Sequence, residues 1–485
     1  MAMRRGFAAV VLFLVACGGG YNSSNTDGRS NTDGRSNLDG GGASFTAHFA
    51  CPLDKPQKGY GAGGAAELTA DTTWTPDQVY VVLGALATGR HTLTIEPGTV
   101  VCFDYDDTVV TNPPPGSLEV STGGALVVKG TAAAHVTFTQ KESGQPGSSW
   151  VGVGFDGGYL ATTSLRYLDL YDAGSGAALK SPSTGADGND ADPALVIDHV
   201  ELYDLENKGI ELRGANGWTG SIGIHSFTGT APASLYAAAT VHPLFAASMT
   251  ATSLTLDPAV PSAARIIQLG ESIISKPVTL HDLGIPYRSD PAGIQLYGTG
   301  EPGQGDTVTA VLTIEPGVAL QMYGALDVGY HDKGAADLVA AGAAGNPITI
   351  TGADPTGWGG ILFEMEEVRA DVSKLDFVTV SGAGKPGEFV VSDCRDQQSS
   401  TIGGEIMIQR PSSSASTYVG PSITNTTIAK PAANTDGIRY DCVPAHCLST
   451  DYTLPSANIL FTGFPSTCDA TNAAVSCAMR PLGCT

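Results

Sequence analysis

The chain is poor in positive charge. Over 485 residues, 25 Lys and Arg stand against 48 Asp and Glu, a net charge of −23. That balance argues against nucleic acid or anionic lipid as a partner, since both call for a basic surface, and it leaves cations and basic surfaces open. Charge of either sign is scarce, at 15%. Beyond the first residues no apolar run is long enough to cross a bilayer as a helix, and stretches with helical periodicity are few. Glycine and proline take their place, with 62 and 29 residues that punctuate short strand-like runs.

The start of the chain gives an address. "MAMRR" is basic, and "GFAAVVLFLVA" is an apolar run too short for a mature membrane helix. Leu14-Val15-Ala16-Cys17 resembles the lipobox of bacterial lipoproteins. The resemblance implies a signal peptide over residues 1–17, with Cys17 as the lipidated new N-terminus, and placement at the outer membrane or cell surface through that anchor. The following "GGGYNSSNTDGRSNTDGRSNLDGGG" repeats "NTDGRS" in tandem and offers almost nothing to a core, so residues 18–44 read as a disordered tether. Nine cysteines less Cys17 leave eight, an even number that suits disulfides in an oxidising compartment.

"LTIEPG" occurs at Leu93–Gly98 and again at Leu312–Gly317. Leu93 and Ile95 alternate with Thr94 as in a half-buried strand. Pro97 and Gly98 then suit the two central positions of a type II turn, where glycine accepts a positive φ. Further matches follow in the same order. "SLEV" at Ser117–Val120 answers "ALDV" at Ala325–Val328, and "HVTFT" at His135–Thr139 answers "PITIT" at Pro347–Thr351. Trp150 in "SWVGVGF" answers Trp358 in "GWGGILF", and "NKGIEL" at Asn207–Leu212 answers "TDGIRY" at Thr435–Tyr440. One module written twice accounts for this order.

"LTIEPGTVVCF", "GGALVVKGT", "HVTFT", "WVGVGF" and "LRYLDLYDAG", in that sequence, resemble the coils of bacterial right-handed parallel β-helix proteins. The resemblance implies an all-β solenoid with coils of roughly 20–25 residues, in which Ile95, Val101, Phe103, Val136 and Phe138 fill the interior. The expected organisation is an N-terminal cap at 45–70, one copy at 71–213, joining coils at 214–271, a second copy at 272–442 and a Cys-rich C-terminal cap at 443–485. Along such a coil Cys51 can reach only Cys102, because the next cysteine, Cys394, lies many coils away. Cys102 aligns with the polar Gln321, so it should face out of the core, towards a covering segment. Cys394, Cys442, Cys447, Cys468, Cys477 and Cys484 are left to staple the C-terminal end.

Known β-helix families include polysaccharide lyases and hydrolases, which need clustered carboxylates and a base. "DYDD" at Asp104–Asp107 and "ADGNDADP" at Ala186–Pro193 are the densest acidic runs, but Ala191 stands where an EF-hand-like loop needs an oxygen ligand, and both read as turn acids. The nine histidines show no zinc spacing, Pro386 spoils a phosphate loop in "SGAGKPG", and there is no G-x-S-x-G elbow. No catalytic residue, metal ligand or cofactor is therefore assigned. Trp150 and Trp358 read as packing residues rather than sugar platforms, since they recur with the scaffold. The expected function is a surface-anchored, non-catalytic lipoprotein with a structural, adhesive or carbohydrate-binding role, whose partners are the membrane, a polysaccharide or another surface protein. The alternative is a polysaccharide-acting lyase or hydrolase.

Overall fold

A computed structural model describes residues 49–61, 65–104, 115–141, 150–174, 177–181, 192–206, 208–228, 237–299, 308–329, 334–365, 368–383, 391–392, 399–400, 404–409, 417–429, 436–440, 447–448, 450, 452 and 455–462. They belong to one compact unit, Thr46–Thr485. The other unit, Met1–Phe45, lies outside the described residues and takes Cys17 and the tether with it.

Alternating aliphatic and polar residues between Gly and Pro corners dictate short strands here, and the strands set the architecture. Thr92–Ile95 buries Leu93 and Ile95, and Ala310–Ile314 buries Ala310, Leu312 and Ile314. After each comes the same tight turn: Thr99 N–H donates to Glu96 O and Val318 N–H to Glu315 O, both at 3.3 Å, with Gly98 at φ 76° and Gly317 at φ 89°. The expected positive φ is met at both corners.

The described strands form sheets of 14, 12, 6 and 5 strands, and every pairing within these four is parallel. Strands adjacent in a sheet are not consecutive in the chain; Ala85–Ala87 pairs with Ser117–Val120, which pairs with Gly152–Phe155. An all-β chain that returns in parallel to its own earlier strands fits a β-solenoid. Its only α-helix among the described residues is the four-residue turn Pro243–Ala246.

Register is kept along the whole 14-stranded sheet. A line in register runs from Glu67 through Glu119, Lys180, Glu211, Thr240, Arg288 and Thr351 to Thr462 on the side away from the core, with Thr240 and Arg288 covered. The inward neighbours Leu118, Leu179, Ile210, Tyr287 and Ile350 are fully buried. Ile95, Val101, Phe103, Val136 and Phe138 are likewise fully buried, as the sequence predicts. Some coils keep the expected 20–25 residues and others are longer: cross-coil contacts join residues 22 apart at Ser226–Asp204 but 33 apart at Lys129–Glu96 and 34 apart at His135–Asp169. The difference lies in the corners, since a short coil holds three strand runs, Gln57–Tyr60, Ala66–Glu67 and Thr72–Trp74, just as a long one holds Thr92–Ile95, Val100–Asp104 and Ser117–Val120.

Candidate functional site

Cys102 sits on the outward side of Val100–Asp104, fully buried yet outside the main core. It is joined to Cys51 by a disulfide with Cα atoms 6.0 Å apart. Cys51 and Phe49 belong to a strap that covers Val79, Val81, Val100 and Cys102. Thr139 Oγ1 donates to Phe49 O at 2.8 Å, and the Phe49 ring reaches Tyr171, with centroids 5.8 Å apart. The outward cysteine and its covering segment are as expected. Cys394, Cys442, Cys468, Cys477 and Cys484 lie outside the described residues, and Cys447 is described only as backbone in Cys447–Leu448.

Tyr171 opens a group of outward aromatic, acidic and imidazole side chains. Period-two alternation in Ser164–Tyr171 and Leu195–Tyr203 turns Leu168, Leu170, Val200 and Leu202 inward and sends Asp169, Tyr171, Glu201 and Tyr203 outward. Parallel register sets Asp169 opposite Glu201 and Tyr171 opposite Tyr203. The aromatic rings stack along the sheet: Tyr171 on Tyr203 at 4.6 Å and 11°, and Tyr203 on His225 at 4.4 Å and 7°. A second stack, Tyr167 on His199 at 4.5 Å and 8°, uses residues whose φ values are 46° and 54°.

Three carboxylates in this strip meet imidazoles. His135 Nδ1 lies 3.0 Å from Asp169 Oδ1, His199 Nδ1 lies 2.7 Å from Asp198 Oδ1, and His225 Nε2 lies 2.7 Å from Glu201 Oε2. The hydrogen bond to Glu201 raises the pKa of His225, partial burial opposes it, and the charges of Glu201 and Asp257 add to the rise. Burial beside Asp169 and Asp204 pushes the Tyr171 hydroxyl up to about 12 and moves Tyr203 in the same direction, so both stay protonated donors at neutral pH. Stacked rings spend their faces on each other and offer edges to solvent, which suits coil-to-coil cohesion better than sugar stacking.

The residues singled out in the sequence fall elsewhere. Asp104 pairs with Lys141 at 2.6 Å, while Asp106 and Asp107 lie outside the described residues. Asp192 accepts from Gly158 N–H and lines a shallow depression with Tyr159, Leu212 and Asn216; the rest of its acidic run is outside the described residues. Pro386 is outside as well. Trp150 and Trp358 are buried, with Nε1 donating to Tyr171 O at 2.8 Å and to Ser381 O at 2.9 Å, so neither offers a face to a sugar. Among the described residues no group of three or more His, Cys, Asp or Glu could hold a metal ion.

Sequence reasoning missed the strip and also Glu405. That carboxyl is fully buried, accepts from Ala383 N–H at 3.2 Å, and is pushed up to about 8 by burial, against the pull of the Ala383 and Gly382 amides. A usable signal for the strip existed in "DLYD" at Asp169–Asp172 and "ELYD" at Glu201–Asp204, which are one coil apart. Comparison of the chain with protein-family models, with curated proteins and with solved structures finds no match.

Proposed function

We propose that this protein is a surface-anchored, non-catalytic lipoprotein whose solenoid presents a long repetitive face to an extended partner, a polysaccharide or another surface protein. The observation that carries the reading is the unbroken register from Glu67 to Thr462 across all 14 strands of one sheet, a line covered at Thr240 and Arg288 and accessible along the remainder. Side chains held about 4.8 Å apart along such a line make many weak contacts whose affinities combine. The lipobox-like Leu14–Cys17 and the tether after it support display at the outer membrane or cell surface. The solenoid is right-handed and duplicated in this reading. Repeated motifs in constant order support the duplication, and so does the like bonding of Trp150 and Trp358 to the next coil.

A second reading, a polysaccharide-acting lyase or hydrolase, is favoured by one arrangement: Asp169 and Glu201 stand in register on neighbouring strands, each with a histidine. Protein lacking the residues before Ala43, incubated with a panel of acidic and neutral polysaccharides, separates the two. Retention of a polysaccharide with no new unsaturated or reducing ends supports the binder. Release of such ends, abolished by Glu201→Gln or Asp169→Asn, overturns it in favour of the enzyme.

A further inference from the structure

His225 stands between two coils. Its Nε2 is 2.7 Å from Glu201 Oε2 on the preceding coil, and its Nδ1 is 3.7 Å from Asp257 Oδ2 on the following one. The ring is held flat on Tyr203. Gly223, two residues earlier and in register with Glu201, leaves the space in which the Glu201 carboxylate folds back; a Cβ there would collide with Glu201 Oε2.

The charged and titratable surroundings of His225 can be named from each side. The strand Leu195–Tyr203 supplies Glu201 and Tyr203, with Asp169 one coil further along the same outward line. The following coil supplies Asp257, while Arg265 donates to the backbone carbonyls of Asp257 and Val260 rather than to the Asp257 carboxylate. On its own coil Ser226 follows, its hydroxyl donating to Asp204 at 2.8 Å. Among the described residues, His225 is the one cation source within ion-pair distance of Glu201 or Asp257.

We infer that His225 is the centre of a pH-dependent clasp that ties three neighbouring coils together on this face. When the imidazole is protonated it bridges Glu201 and Asp257 across two coil boundaries. When it is neutral, both carboxylates and the nearby Asp169 share one face with less compensating charge, and the coils are held there by backbone pairing, ring stacking, the Ser226–Asp204 hydrogen bond and the apolar core beneath. The charged form is favoured in the folded state, so the clasp is fully closed below the ordinary imidazole pKa of about 6.5 and loosens as pH rises through the higher folded value.

The test uses the full chain with 13C-labelled histidine, the His225 signal being assigned by its loss in His225→Gln. Its midpoint is expected above the ordinary imidazole value in the wild type, and lower in Glu201→Gln and in Gly223→Ala, which keep the ring. Amide exchange over Ile222–Ile224 and Leu254–Leu256, corrected for intrinsic rates, is expected to lose protection by about tenfold per unit of raised midpoint between acidic and alkaline buffer. The Glu201→Gln, Asp257→Asn double variant should show a flat profile. A wild-type midpoint at or below the ordinary value overturns the clasp, and so does a wild-type exchange profile retained by the double variant, since stacking alone would not respond to those changes.

Discussion

Phe49 O accepts a hydrogen bond from Thr139 Oγ1 across 90 residues of sequence, two residues before the disulfide that fixes the strap at Cys51. The strap thus crosses from Val100–Asp104 to Val136–Gln140 on the outside of a sheet and covers an apolar patch that solvent would otherwise reach. An outward aliphatic face on Val79–Leu83 is tolerable only because of that cover.

Removing the bridge by Cys51→Ala with Cys102→Ala should destabilise the unit by about 4 kcal/mol, the chain-entropy value for a separation of 51 residues. Urea unfolding of oxidised wild type against the double variant measures the difference. The variant should also bind a hydrophobic dye at native conditions, as Val79, Val81 and Val100 become exposed.

Trp150→Ala and Trp358→Ala should each cost about 3–5 kcal/mol. Trp150 stacks on Phe103 at 3.8 Å and 7°, and both indoles lose a hydrogen bond to the next coil. Thermal unfolding checks this, and equal effects of the two variants would agree with equivalent places in a repeated module.

Glu405 gives stability a pH dependence of definite sign. Its folded pKa, about 8, lies above the ordinary carboxyl value near 4.5, so the folded state holds a proton that the unfolded state has lost between those limits. Stability should therefore fall as pH rises from about 4.5 to about 8. Glu405→Gln should remove that slope and be the more stable protein at the upper end, as read by urea midpoints across the range.

Arg369 holds the fully buried Asp337, donating through Nε to Oδ2 at 2.7 Å and through its backbone N–H to Oδ1 at 3.1 Å, with Ser373 Oγ donating at 3.1 Å. Arg369→Ala leaves the carboxylate buried without its cation and should cost on the order of 3 kcal/mol. Replacing Asp337 as well, by Asn, should recover part of the loss in a double-mutant cycle.

Much of the fold was legible because coil corners are written locally. Pro97-Gly98 and Pro316-Gly317 mark turns whose geometry depends on four consecutive residues, and Leu93, Ile95, Leu312 and Ile314 declare their burial by alternation alone. Coil length was legible only in part, because corners of unequal length between the strand runs leave no periodic signal. The His–carboxylate strip stayed hidden for a related reason: His225 and Glu201 are 24 residues apart, and nothing in either segment states the register that joins them.

The sequence by itself determined the short strands, their turns, the side each residue presents, and the pairing of Cys51 with the one cysteine within reach. These follow from rules acting over two to six residues, or from chain connectivity. Only the tertiary structure decided which outward residues become neighbours. Parallel pairing sets residues from successive coils about 4.8 Å apart whatever their separation in the chain, so Glu201, His225 and Asp257 form one charged group only once the coils are stacked.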